Sequence, residues 1–470
     1  MPAASDPPAG PPAEPPGPAT RLIFRAAPRG RPDESEQPMS ARPRTRTVLI
    51  PALALLAVAA GCGSDGDSTG DGGDQIELTY WTHTHPPMTE LNKQLIAEYE
   101  EANPNVTITY ETIPNNDFGT KMLTSLSNGS GPDIINMDDS ALRGEYIPKQ
   151  LLAPIEPSAF GAESVEELEA LYVDGTLDGA KGDDGTLYGV PSEFNATAFA
   201  INTQHFAEAG LDPANPPATW DDVSEYGQQL VAAGHEGFNF VYLHAGWYTQ
   251  QLQTLLNETG GSILNDDGTA SALTEPKSVE ALQIWHDLIR EDEVGNADTA
   301  SREATSPFED FASGRRSMTM IYPWAVEQIA QDNPETFENL AVVPLPQVDP
   351  ANPSGRWYGY YFAVNKASEQ QEEAWKFIEY MTSQHDRWLT DVNFVQPLKD
   401  WEQSEAAANI PFLEVWSQAY QQGKFDEVGP HWSEVQDAIK AAVERSIFDG
   451  QPPAESLEEA SESVDQSVTS

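Results

Sequence analysis

The 470-residue chain contains a single cysteine, Cys62. One thiol excludes an internal disulfide framework, a CxxC redox pair and any multi-cysteine zinc site. Basic residues are also scarce, with 25 Lys and Arg against 75 Asp and Glu and a formal net charge of -50. Phosphate binding depends on Lys and Arg neutralising the backbone, so no nucleic-acid partner is expected. Peripheral attachment to anionic lipid through a basic face is disfavoured for the same reason. No HExxH and no P-loop occurs, and no internal repeat is visible. The chain does have material for packed cores, since 39% of its residues are hydrophobic and 9% aromatic. It is too long for one small module and reads as two or three soluble, acidic domains.

The N-terminus is not read as part of the fold. Residues 1–38 are rich in Pro, Ala, Gly and Arg and lack apolar periodicity, so they are expected to be disordered or a mis-assigned start. From Met39 a basic stretch (Arg42, Arg44, Arg46) leads into the 13-residue apolar run Val48–Ala60 and then to Gly61 and Cys62. That is the layout of an export signal, and the run is too short to span a membrane. Ala59-Ala60-Gly61-Cys62 resembles a bacterial lipoprotein signal, which makes Cys62 the expected lipidation site; Ala59 stands where Leu is more usual. The competing reading is an ordinary cleaved signal with an incidental thiol. Removing residues 1–61 takes away seven Arg and five acidic residues, leaving 18 basic and 70 acidic ones over 409 residues. Such a surface stays soluble through self-repulsion. Residues 62–75, rich in Gly, Asp and Ser, read as a flexible tether. At its start Gly61–Gly66 fits GxGxxG, but no strand precedes it and no helix follows. Asp65 and Asp67 lack the closing acid of a calcium loop.

From residue 76 the pattern becomes regular. Ile76, Leu78 and Tyr80 alternate as a strand, and Leu91, Leu95, Ile96 and Tyr99 follow at helical spacing up to Asn103-Pro104. Val106, Ile108 and Tyr110 alternate again, Phe118 to Leu126 form a second helix, and Asp133–Met137 is a short apolar strand. This is a pair of βαβ units on a parallel sheet, in which ligands sit beyond the carboxyl ends of the strands. Further strands are expected at Ala196–Asn202, Phe238–Leu243, Ser317–Tyr322, Leu340–Val343 and Trp357–Asn365. Helices are expected after Thr219, Pro276 and Pro323 and through most of 367–448, with a polar tail at 451–470.

Several stretches together resemble the extracellular solute-binding proteins of ABC importers, family 1, the group of maltose and oligosaccharide binders. They are Leu78-Thr79-Tyr80-Trp81, Asn103-Pro104-Asn105-Val106, Gly131-Pro132-Asp133-Ile134-Ile135, Leu187–Pro191, Gly314–Met320 with Pro323-Trp324, and Ala374–Met381. They occur in the family's order across residues 76–450. The resemblance implies a type II periplasmic-binding-protein fold: two α/β lobes, each a mainly parallel sheet flanked by helices, with a ligand cleft between them. It places lobe 1 at 76–192 with about 357–395 and lobe 2 at 193–356 with about 396–450. It also implies membrane permease partners and no catalysis. No cofactor is expected, and a monomer is expected that the lipoprotein-like signal, independently of these stretches, holds at the outer face of the cell membrane through its lipid.

A sugar site needs aromatic plates for C–H faces and carboxylates or amides for hydroxyls. Of the eleven tryptophans, Trp285 and Trp375 lie on apolar helical faces and Trp220 follows an N-cap, so these read as packing. Candidates for ligand contact end strands or open helices: Trp81 and Thr82, Asp138 and Asp139, Trp247, and Tyr322 with Trp324, the last matching a ligand-stacking position in the resembled family. Trp357, Tyr358 and Tyr360 flank Gly359, whose missing side chain permits close backbone approach. Glu193 and Asn195 lie just past the first expected hinge. For Asp138 and Asp139 helix capping before Leu142 is the alternative, and hinge hydrogen bonding is the alternative for Glu193 and Asn195. His83 and His85 read as polar rim residues, since no third ligand accompanies them for a metal. Two other functions stay open: a cationic solute such as a polyamine or quaternary amine, for which aromatics and acids also form a cage, and a glycoside hydrolase using a carboxylate pair.

Overall fold

The computed structural model describes residues 75–240, 245–295, 307–429 and 431–469, all within the compact unit Gly70–Ser470. Residues 1–74, and with them the expected signal, Cys62 and all of the tether but Gln75, lie outside the described residues, as does 241–243 of the expected strand Phe238–Leu243.

The first sheet is built from β1 (Ile76–His83), β2 (Val106–Ile113), β3 (Ile134–Asp138), β4 (Gly189–Ala196), β9 (Gly355–Val364) and β10 (Gly423–Phe425). Its order is β10-β9-β3-β1-β2, with β4 also paired to β9. β1 runs parallel to both β2 and β3, as two βαβ units require. Alternation puts Leu78 and Tyr80 into a core shared with Leu91, Leu95 and Tyr99 of the helix Pro86–Ala102. That helix stops at Asn103, the residue before Pro104, where helical backbone is disfavoured. Asp133 fixes the relative height of the strands: its carboxylate accepts from Thr79 N (2.8 Å), Thr79 Oγ1 (2.7 Å) and Ser368 Oγ (2.6 Å).

The second sheet has the order β6-β7-β5-β8, formed by β5 (Ala198–Asn202), β6 (Glu236–Phe238), β7 (Arg316–Ile321) and β8 (Leu340–Val343). Helices Trp220–Ala232, Ala245–Thr259 and Pro276–His286 cover it, and Leu230, Leu252, Leu282 and Trp285 fill its core. The capping box of Thr219 and Asp222 starts the first of these helices. Trp285 and Trp375 are fully buried, as their helical faces predict, and Trp220 is nearly so.

Three expectations need correction. The second sheet is mixed, because only β6 and β7 pair parallel and β5 is antiparallel to both neighbours. β5 enters the second sheet directly from β4 of the first, across Thr197. The lobe boundaries at 192/193, 356/357 and 395/396 also shift. β4 pairs with β9 through Ala196 and Trp357, and β10 joins β9 at Gly355–Trp357, so these residues belong to the first sheet. Finally, the expected polar tail contains the helix Pro453–Val468, which packs Leu457, Ala460 and Val464 against the helix Trp432–Ile447 and the second core. Three small apolar side chains spaced for one face suffice to dock it, although Glu and Ser dominate its composition.

Leu457→Ala is therefore expected to destabilise the folded protein by about 2–5 kcal/mol, the usual cost of emptying a buried leucine site. Urea unfolding of the two proteins measures it, and an unchanged midpoint would show that the helix does not contribute to the second core.

Candidate functional site

Between the lobes lies a cleft of about 1220 Å³. β4 and β9 cross its floor and contribute Glu193, Tyr358 and Tyr360. One wall comes from the ends of β1 and β3 and the segment after them, with His83, His85, Asp138, Glu145 and Tyr146. The opposite wall comes from the helices Ala245–Thr259 and Pro323–Asp332, with Trp247, Gln250, Trp324, Gln328 and Asp332. Trp432, Ser433, Gln436 and Asp437, opening the helix Trp432–Ile447, close one end.

The aromatic side chains are braced from behind. Trp324 stacks on Tyr322 with ring centroids 6.3 Å apart and planes within 7°. Its Nε1 donates to the Tyr358 hydroxyl at 2.6 Å, while Tyr358 meets Tyr322 edge-on at 5.2 Å. Tyr360 packs on His83 at 4.6 Å, and His85 packs on Phe394 at 5.1 Å. Burial pushes His83 down to about 3 and His85 down to about 4, with His85 adding to the effect on His83. Both imidazoles are consequently neutral at pH 7. Glu193 sits almost fully buried at a β-bulge between Pro191 and Glu193. It accepts from Asn195 Nδ2 at 2.6 Å, and burial raises its carboxyl to about 8.

Six of the twelve expected contact residues line the cleft and six do not. Asp138, Glu193, Trp247, Trp324, Tyr358 and Tyr360 line the cleft with His83 and His85, although Asp138 also caps the short helix after β3 by accepting from Ala141 N at 3.0 Å.

 The Asp138 Oδ1 that makes this cap also accepts from Ser140 Oγ at 2.6 Å. Trp81 lies on β1, half-buried, with Lys121 Nζ 4.4 Å from its ring centre. β1 runs on to His83, so His83 rather than Trp81 or Thr82 ends the strand at the cleft. Thr82 is buried and shares a 2.8 Å hydrogen bond with Tyr110. Tyr322 and Asn195 stand behind Trp324 and Glu193 as supports. Trp357 packs between Phe194 and Phe425.

Asp139 is buried in an ionic network behind the floor. It accepts from Arg143 Nη2 at 2.9 Å and from Gly359 N at 3.0 Å. The room at Gly359 goes to β4, since a Cβ there would stand 3.0 Å from Glu193 O. Arg356, 1% exposed, binds Asp426 through Nε (2.6 Å) and Nη2 (2.8 Å), and Arg143 Nη2 also donates to Asp426 O at 3.0 Å. Burial raises the Asp139 and Asp426 carboxyls, against the opposing pull of Arg143 and Arg356.

Sequence reasoning missed Phe118, Glu145, Tyr146, Gln250 and Trp432. Glu145 joins the lobes by accepting from Ser433 Oγ at 3.0 Å. Gly144 lets them meet there, because a Cβ would come within 2.6 Å of Trp432 Cβ. Only the glycine within Leu142–Tyr146 hints at such an approach. Among the described residues no group of three or more His, Cys, Asp and Glu could hold a metal, and no helix is long and apolar enough to cross a membrane. Gly66-Asp67-Ser68-Thr69-Gly70 does satisfy the letters of GxSxG. It lies in the tether outside the described residues, with no strand-forming run before it as a nucleophile elbow requires.

Two α/β lobes around a cleft crossed by shared strands define a ligand-binding protein of the type II, maltose-binding-protein-like class. The profile of the bacterial extracellular solute-binding proteins matches residues 85–386, and the chain belongs to that family. A putative binding protein of Brucella abortus is 25% identical over 423 residues, covering 86% of this chain and 94% of its own. The arabinooligosaccharide-binding protein of Halalkalibacterium halodurans is 23% identical, covering 67% of this chain and 70% of its own. An ABC substrate-binding protein of Listeria monocytogenes, solved in complex with cycloalternan, superposes with a TM-score of 0.73 at 20% identity, covering 84% of this chain and 99% of that one. Membership of this extracellular family makes the chain an exported protein.

Asp426→Asn leaves the Arg356 charge buried without its partner, which is expected to cost about 3–5 kcal/mol of stability. Denaturant unfolding reads this directly, and a loss below about 1 kcal/mol would mean that Asp139 alone holds the guanidinium.

Proposed function

We propose that this protein is the substrate-binding component of an ABC importer, capturing a di- or oligosaccharide in the cleft and delivering it to membrane permease subunits. The observation that carries the reading is the pairing of braced aromatic faces with hydroxyl-directed polar groups around one cavity. Trp247, Trp324 and Tyr360 offer flat apolar surfaces, and Gln250, Gln328, Asp138 and Glu193 surround them. Sugars present the complementary combination of C–H faces and a hydroxyl rim. The arabinooligosaccharide-binding relative and the cycloalternan-bound structure support the same ligand class. Binding and release between two lobes need no reaction, so we read the chain as a non-enzyme.

We also infer that the exported chain is a monomer anchored to the outer face of the cell membrane through lipid on Cys62. Cys62→Ser is expected to release the protein from the membrane fraction and to abolish labelling by a palmitate analogue. Continued membrane retention of the variant would remove the anchor.

A second reading has one observation in its favour. Among the described residues the cleft is lined by six carboxyl groups (Asp138, Glu145, Glu193, Glu309, Asp332 and Asp437) and by no Lys or Arg. That lining disfavours anions and would tolerate a polyamine or quaternary amine, which aromatic rings also hold. Thermal shift of the chain from residue 75, screened against mono-, di- and oligosaccharides, polyamines and betaines, separates the two, because a ligand of the folded state raises Tm by mass action. A response confined to cations would overturn the sugar reading. Against a responding sugar, Trp324→Ala is expected to lose ~2 kcal/mol or more of binding. Unchanged affinity in calorimetry would take Trp324 out of the contact surface.

A further inference from the structure

We propose that Glu193 determines specificity in the cleft by meeting the ligand as an un-ionised carboxylic acid. In that state it donates one hydrogen bond and accepts another, and it selects uncharged polyhydroxy ligands over amines. The inference rests on the sugar-binding reading and gives its chemical basis.

The geometry comes first. Glu193 lies at the bulge where β4 shifts register against β9, and it lines the cleft although it is only 4% exposed. Bulges re-aim side chains at such places. A carboxylate buried this deeply normally has a cationic partner. The hydrogen bond it accepts comes instead from a neutral amide, Asn195 Nδ2. Arg356, on the adjoining strand, is engaged in two hydrogen bonds by Asp426, and its guanidinium lies over the Tyr358 ring at 5.0 Å.

The groups around Glu193 push the same way. Tyr358 and Tyr360 face it from β9 and Tyr420 from the helix Leu413–Gln422, and burial raises all three phenols, which stay protonated. On the wall from β1 and β3 stand the neutral His83 and His85 and the acid Asp138. None of these groups is a cation. Burial without an opposite charge raises the carboxyl to about 8, with the Asn195 amide pulling only partly against it.

The consequence differs between ligand classes. A neutral carboxylic acid offers both a donor and an acceptor, which suits neighbouring sugar hydroxyls. An ammonium ion needs the carboxylate and must therefore bind with loss of the proton. By linkage, neutral-ligand affinity is flat below pH 8 and falls by up to about tenfold per unit above it. Affinity for a cation follows the opposite course, rising with pH until about 8.

Two measurements on the folded chain test this. Wild type minus Glu193→Gln infrared spectra of the unliganded protein, from pH 5 to 10, are expected to show the carbonyl band of a protonated carboxylic acid at pH 6, fading through pH 8. Absence of that band at pH 6 overturns the proposal whatever the cleft binds. Calorimetry with maltotriose, arabinotriose and spermidine supplies the second measurement. The expected result is sugar affinity that falls above pH 8 in the wild type and stays flat in Glu193→Gln. Asn195→Ala, which removes the donor favouring the carboxylate, moves the fall to higher pH and provides a second variant if Glu193→Gln does not fold. Spermidine binding that tightens with pH, with both sugars silent, overturns the proposed selection. Silence from both sugars with the band present overturns the sugar reading, while the protonated state of Glu193 stands on the infrared result.

Discussion

The antiparallel pairing of β4 with β9 is the constraint on which the rest of the structure depends. The ladder runs from Gly189 opposite Ala363 to Ala196 opposite Trp357. At its far end β4 passes through Thr197 into β5, so one continuous chain joins both sheets. β9 arrives from β8 through the loop 344–354 and makes the second crossing beside the first. A third crossing follows β10, and the Arg356–Asp426 pair ties it to β9 just before the chain enters the helix Trp432–Ile447. Because these strands hold the lobes together, the residues they carry at the floor reach both walls. Glu193, Tyr358 and Tyr360 occupy that position, and a ligand touching them can contact both lobes at once.

Rigidity at the floor is built from polar as well as apolar contacts. Asp139 accepts the Gly359 N–H, which would otherwise be buried beside the bulge without that partner. Arg143 links Asp139 to the backbone of Asp426, so a single charged cluster spans β9, the segment after β3 and the third crossing. Buried ion pairs of this kind add little net stability over apolar packing, because desolvation offsets most of the attraction. Their contribution here is geometric. They fix the strands that carry the aromatic plates.

Much of the first lobe could be read from the sequence because its signals are local. Alternation in Ile76–Tyr80 and Val106–Tyr110, and helical spacing from Leu91 to Tyr99, need no tertiary information. The site was legible only in part. Trp324 and Trp247 open helices and Tyr360 sits beside the glycine of a crossing strand, and end-of-element reasoning finds such positions. The same reasoning misplaces Trp81, because β1 extends two residues past it, and Trp357, because β10 adds beside β9 and encloses its ring. Glu145 and Trp432 are 287 residues apart, and their shared wall exists only after the third crossing brings the C-terminal helices back. No periodicity encodes that meeting. The helix Pro453–Val468 was hidden for a different reason, since its apolar face is narrow and its composition polar.

Charge is distributed in a way that composition alone conceals. A chain with a formal net charge of -50 would be expected to present a strongly anionic interior to any ligand. Burial removes that inference at the floor. Exposed carboxylates keep their hydration and stay ionised, whereas burial penalises the charged form and raises Glu193 towards neutrality. Burial acts on His83 and His85 in the opposite direction chemically, removing their proton, but with the same electrical outcome. Glu193 and the two imidazoles are thus driven to their uncharged forms, so the surface these three form is polar without being ionic. Hydroxyl groups can exchange water for such a surface without stranding a charge, whereas an ammonium must first create one. The acidity of the whole chain therefore governs its solubility, and the depth of the cleft governs what it holds.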